Sequence, residues 1–267
     1  MPTSRNWQDI RRWKPVGVNY LVFDLWDLNQ CPVVVAAFFG GNDIMPATFA
    51  LDIYGTLIDP LAVKTALVAH VGDDAAVFAE TWRTKQLEYS FRRGLMGDYR
   101  NFTQVTRAAL DFACETHGAR ITDDDKIKLM GHYRALDAFE DVAPALSALQ
   151  QKSVALHAFS NGVADDIAAL LEHAGLDDRI SSIISADEVQ TFKPDPRFYR
   201  HFLERTGATA DTTWLVSSNP FDVIGAAACG WRTVWVKRNP GAVFDPWDHV
   251  PTAIISDLTE LTALAAN

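Results

Sequence analysis

The chain has 267 residues, of which 48% are hydrophobic, and a formal net charge of −10. That is enough apolar material for one sizeable core with a smaller attached unit. The acidic balance argues against a nucleic-acid binder, which needs a basic face, and no apolar run approaches the ~20 residues of a membrane span. Cys31, Cys114 and Cys229 are widely spaced and form no CxxC pair. They point to a reducing, cytoplasmic setting with cysteines acting as small apolar residues. Arg11-Arg12 before the apolar stretch 16–23 resembles a signal sequence only faintly, because Asp24 and Asp27 interrupt it and no cleavage site follows.

In chain order, residues 1–44 come first. They are rich in Trp, Arg and Pro without a clear hydrophobic period. They read as an N-terminal extension, either upstream of a natural start at Met45 or as an extra strand or arm. Stretch 20–27 runs as a strand into Asp24 and Asp27 but lacks a following Gly-Thr. From residue 48 an apolar strand, 48–53, ends in a carboxylate. Residues 61–136 then carry almost no strand signal, and helices fit at 60–70, 74–95, 101–117 and 124–135. Asn101 and Gly118 supply start and stop signals for the third. Beyond 141, helices at 141–151, 163–174, 195–206, 220–228 and 257–265 alternate with strands at 154–159, 180–184, 213–217, 233–236 and 253–255. This alternation predicts a doubly wound, mostly parallel α/β sheet covered on both faces. The core takes 45–59 and 137–267, and 60–136 form an inserted all-helical cap.

Ligands of open α/β sheets bind beyond the carboxyl ends of the strands. The polar residues there are Asp52 to Thr56, Ser160-Asn161-Gly162, Lys193-Pro194, and Ser217-Ser218-Asn219-Pro220-Phe221-Asp222. The order hhhhDxxGT, hhxSN, KP and a polar loop with a late Asp resembles the haloacid dehalogenase superfamily over about residues 46–260. Most members are magnesium-dependent phosphatases with a second Asp two residues after the first; here that residue is Tyr54, and the metal loop reads Ser218-Asn219. Magnesium wants several oxygen ligands, and Lys193 and Arg83 set two cations against Asp52 and Asp222. The pattern is similar to the L-2-haloacid dehalogenases, which need no metal and no cofactor. Stretch 82–89, with Arg83, looks like their cap helix.

The resemblance implies a role for each matching residue. Asp52 attacks C2 of a small (S)-2-haloacid opposite the halogen and forms an ester. Arg83, Asn161 and the Phe221 ring cradle the halide. Ser160 and the backbone N–H groups of Ile53 and Tyr54 hold the substrate carboxylate, helped by the start of helix 163–174. Lys193 keeps Asp52 ionised, and Tyr199 supports that region. Ser217, Asn219 and Asp222 position and activate water, Thr56 anchors the loop, and Leu87 and Phe102 form an apolar pocket wall. The product is the (R)-2-hydroxyacid. Relatives are often dimers, and the apolar faces of the cap helices leave a homodimer open.

Plainer readings stand beside these. Asn219-Pro220 suits a helix start, Asp222 suits the helix dipole, and Arg83 alone would be a solvated helix charge. Phe102, Leu87 and Tyr199 could be ordinary core. The seven histidines are scattered without HxH or HxxxH pairs, so no metal site is expected. Two other functions compete: a magnesium-dependent phosphatase, and a non-catalytic binding module on the same fold.

Overall fold

The computed structural model describes residues 47–152 and 154–265. The extension 1–44, Met45, Cys31 and the strand-like stretch 20–27 lie outside the described residues. Among those described, six parallel strands form one sheet: β1 (Thr48–Leu51), β2 (Ala155–Ser160), β3 (Ser182–Ser185), β4 (Thr213–Ser217), β5 (Arg232–Val236) and β6 (Ala253–Ile255). Their order is β3-β2-β1-β4-β5-β6. β1 and β4 are buried along their whole length. That is why Phe49–Leu51 and Trp214–Val216 read as unbroken apolar runs rather than alternating ones.

β1 sits between β2 and β4, with Leu51 level with Ala158 on one side and Val216 on the other. Its carboxyl end therefore opens at the point where the strand order reverses. After β1 comes the helical insertion: a 3-10 turn (Pro60–Val63), then α1 (Lys64–Val71), α2 (Ala75–Met96), α3 (Phe102–His117) and α4 (Asp123–His132). The α3 face Phe102, Val105, Thr106, Ala109, Leu110, Ala113 is buried at helical spacing. It packs on α2, where Trp82 Nε1 donates to the Thr106 carbonyl at 2.8 Å. A capping box formed by Asn101 and Gln104 starts α3, and Gly118 in the left-handed region ends it. The sheet is then covered by α5 (Val142–Gln150), α6 (Ala164–His173), α7 (Pro196–Thr206), α8 (Pro220–Ala228) and the short α9 (Leu261–Leu264). No helix among the described residues is long and apolar enough to cross a membrane.

Several boundaries differ from expectation. The first strand stops at Leu51 instead of 53, because residues 53–58 coil back and the Ile53 carbonyl accepts the N–H groups of Thr56, Leu57 and Ile58. β3 begins at Ser182 rather than 180, since Asp177–Arg179 form a 3-10 turn. The last helix is likewise split into a 3-10 turn and α9.

Candidate active site

Asp52 follows the last residue of β1, and its backbone N–H still donates to Val216 of β4 at 3.0 Å. The sheet thus fixes where its side chain starts. Its two oxygens are treated unequally. Oδ2 accepts from Thr56 Oγ1 (2.8 Å), Ser217 Oγ (3.0 Å) and Asn219 Nδ2 (2.7 Å), whereas among the described residues Oδ1 accepts only from Lys193 Nζ (3.0 Å). The turn that returns Thr56 to Asp52 requires Gly55 at φ +91°, and a Cβ there would lie 3.3 Å from Ser218 Oγ.

Lys193 is 1% exposed. Its ammonium donates to Asp52 Oδ1, to Asp222 Oδ2 at 2.6 Å and to the Phe159 carbonyl at 2.7 Å, which uses all three protons. Its backbone N–H donates to Asn161 Oδ1 at 2.8 Å. That bond fixes the amide orientation of Asn161 and leaves its N–H₂ toward the cavity. Behind Lys193, Asp222 is wholly buried and accepts the Tyr199 hydroxyl on Oδ1 at 2.8 Å. Burial pushes the Asp222 carboxyl up to about 6; the nearby Asp52 charge adds to this, and Lys193 opposes it. The Tyr199 hydroxyl is pushed up by burial and by Asp222.

The opposite wall comes from the insertion. Arg83 of α2 donates to Gln86 Oε1 at 2.6 Å and to the Tyr54 carbonyl at 3.3 Å. Gln86 in turn donates to Thr106 Oγ1, which donates to the Phe102 carbonyl. A buried polar chain across α2 and α3 therefore orients the guanidinium. Arg83 makes no ion pair among the described residues, and burial lowers its pKa. A cation held this way is satisfied by neutral acceptors and retains its charge for an incoming anion. The Tyr54 ring lies 5.7 Å from that of Phe102 and 6.2 Å from that of Tyr133. Phe221 meets Phe91 edge-on at 4.9 Å.

These walls enclose a small cavity lined by Asp52, Tyr54, Arg83, Leu87, Phe102, Ser160, Asn161, Lys193, Asn219 and Phe221. It is tight, with room for roughly one water. Ten of the fifteen residues singled out from the sequence thus share one cavity. Thr56 and Ser217 stand behind Asp52 and touch it directly. One expectation needs correction. Asp222 does not line the cavity; its oxygens face Lys193 and Tyr199, so it reaches Asp52 through Lys193. Tyr199 is one layer further back and contacts Asp222. The Ile53 side chain is buried in the core outside the cavity lining, so this residue offers the cavity only its backbone. Asn219 occupies the helix-start position of α8 but makes no side-chain cap; its amide donates to Asp52 and to the Tyr54 carbonyl.

The sequence reading missed Gln86, Thr106, Tyr133, Phe91 and Arg238. Gln86 had a readable signal, three residues after Arg83 on the same helix face. The others approach the site only through tertiary packing.

Fold and site together define a class: a covered parallel α/β sheet with an aspartate at the switch point, paired to a buried lysine beneath a helical insertion. The family model for haloacid dehalogenase-like hydrolases matches residues 46–230, and the chain belongs to that family. It is 38% identical to (S)-2-haloacid dehalogenase 1 of Pseudomonas sp. strain CBS-3 over 70% of this chain and 82% of the relative. It is 35% identical to (S)-2-haloacid dehalogenase 2 of the same strain over 80% and 93%. Among solved structures it is similar to L-2-haloacid dehalogenase from Xanthobacter autotrophicus with chloropropionic acid covalently bound. That match has a TM-score of 0.78 and 30% identity, and covers 84% of this chain and 99% of the other.

Proposed function

We propose that the protein hydrolyses small (S)-2-haloacids to (R)-2-hydroxyacids and halide through an ester on Asp52. The observation that carries this reading is the unequal environment of the Asp52 oxygens. Oδ2 is saturated by three donors, while Oδ1 keeps lone-pair capacity beside the cavity. Oδ1 attacks C2 from the side opposite the halogen, the C–X bond breaks, and the halide leaves with its electron pair. Arg83, the Asn161 N–H₂ and the Phe221 edge receive that anion. Ser160, with the backbone at 53–54 and the start of α6, takes the substrate carboxylate, and Leu87 and Phe102 enclose its carbon chain.

Water then attacks the ester at Asp52 Cγ. Negative charge develops on Oδ2, where Thr56, Ser217 and Asn219 form a ready oxyanion hole. Collapse returns the Asp52 carboxylate and releases the 2-hydroxyacid and a proton. Asp222 keeps Lys193 anchored through both half-reactions. On this reading residues 60–136 act as a cap on a core of 45–59 and 137–267. A magnesium phosphatase has less support. Tyr54 holds the place of that class's second Asp, and the Lys193 ammonium stands between Asp52 and Asp222.

The test is halide release from racemic 2-chloropropionate with and without a chelator. The (S)-enantiomer should be consumed alone and the chelator should have no effect. A single turnover in ¹⁸O-water should give unlabelled 2-hydroxyacid, because the first product carries the oxygen of Asp52. Labelled first product would rule out the ester route.

A further inference from the structure

Arg238 lies two residues beyond β5 and outside the cavity, yet it is one of the most fully engaged side chains near the site. Its Nη2 and Nε donate to the Thr56 carbonyl at 2.7 and 3.2 Å, and Nη1 donates to Asp141 Oδ2 at 2.6 Å. The guanidinium face sits 4.2 Å above the Phe139 ring. The ion pair is mostly buried, with Arg238 at 16% and Asp141 at 10% side-chain exposure. Arginine suits this place because its planar fork serves two acceptors in fixed directions while its face stacks on a ring.

Thr56 links this clamp to the chemistry. Its carbonyl is held from outside by Arg238, while its hydroxyl donates to Asp52 Oδ2 at 2.8 Å and accepts the Ser218 N–H at 2.8 Å. Asp141 and Phe139 belong to the segment by which the chain returns from the helical insertion. That segment is already joined to the same loop, with the Phe139 N–H donating to the Leu57 carbonyl at 3.0 Å and Ala138 bridging Ile58. A rotation of the return segment would therefore be felt at Thr56, and through it at the nucleophile.

We propose that Arg238 is a positioning residue for the reaction. It ties the return segment to the Thr56 carbonyl and so sets the Asp52 carboxylate at its reactive angle. The inference rests on the function proposed above. Arg238→Gln should lower kcat about tenfold or more with KM changed less than about twofold, since no cavity-lining group is altered. Arg238→Lys should recover part of the loss. In a Thr56→Val background the same Arg238→Gln change should cost little further, because the path through Thr56 is already cut. Arg238→Gln leaves the Asp141 carboxylate with the Leu258 N–H but without its cation and will lower Tm; the double variant with Asp141→Asn removes that unpaired charge and should keep the low kcat. Wild-type kcat in a less stable Arg238→Gln protein, or full additivity with Thr56→Val, would overturn the proposal. Absence of haloacid turnover in the wild type would instead refute the proposed function. Positioning would then be read from the crystal structure of Arg238→Gln, where a Thr56–Asp52 hydrogen bond unchanged at 2.8 Å would overturn it.

Discussion

Asp222 and Lys193 meet at 2.6 Å in a wholly buried setting, and their charges set a pH dependence with two opposite signs. The Asp222 carboxyl sits at about 6 in the folded protein, above its ordinary value of 3.8. Between those values the native state binds the proton more tightly than the unfolded chain does. This group therefore contributes stability below about 3.8 that is lost as pH rises through about 6. Turnover should run the other way and fall as pH drops through about 6, because protonated Asp222 no longer anchors the Lys193 ammonium by charge. The check is kcat and Tm against pH for the wild type and Asp222→Asn. The Tm difference between them should change across this window in the stated direction, and the acid limb of kcat should be absent from whatever activity the variant retains. Residues at or just past a strand's carboxyl end, such as Asp52, Ser160 and Ser217, were legible because a strand end fixes their location. The retreat of Asp222 behind Lys193 was not legible, since depth within a site is set by packing between α7, α8 and the sheet. Tyr133 and Arg238 were silent for the same reason.

At the scale of elements, α8 carries a constraint that local propensity would misjudge. Gly225 stands inside this helix, where replacing glycine with alanine ordinarily stabilises by about 1 kcal/mol. Here an added Cβ would lie 2.5 Å from the Tyr199 hydroxyl oxygen and 2.7 Å from Pro194 Cβ. Both neighbours support the Lys193 and Asp222 pair, so Gly225→Ala should lower Tm and reduce kcat together, the reverse of the propensity effect. Thermal unfolding and steady-state turnover of this one variant check it; a raised Tm with normal kcat would show that α8 shifts freely. The elements themselves were largely readable. Strands β1 and β4 announced burial by unbroken apolar runs, and α3 carried both its apolar face and its capping residues. What escaped was where backbone hydrogen bonding turns away from the regular pattern, as at 53–58 and 177–179. Those turns depend on carbonyls such as that of Ile53, which leave no mark in residue type.

The molecule as a whole presents an access problem, because a cavity with room for roughly one water is too small for a 2-haloacid to enter as it stands. Capture should therefore involve movement of the helical insertion away from the sheet. The polar contacts across that seam set its cost. Asp166, in the first turn of α6, accepts Thr103 Oγ1 of α3 at 2.5 Å and pairs with Arg134 Nε at 2.9 Å, and the Tyr99 hydroxyl donates to Asp187 at 2.9 Å. Arg134 is half exposed, so this pair holds the insertion only weakly, by about 0.5–1 kcal/mol. Asp166→Ala should therefore raise the rate of substrate capture about two- to fivefold, while chemistry in the loaded site stays within about twofold, as Asp166 lies outside the cavity lining. Stopped-flow measurement of the halide burst at low and at saturating 2-chloropropionate separates the two rates. Ionic strength supplies a second test. Salt should speed capture in the wild type both by screening the Arg134–Asp166 pair and by screening the net charge of −10 against an anionic substrate. In Asp166→Ala only the charge effect remains, so its salt response should be shallower. An equal response, with capture no faster in the variant, would show that the seam opens without breaking this contact.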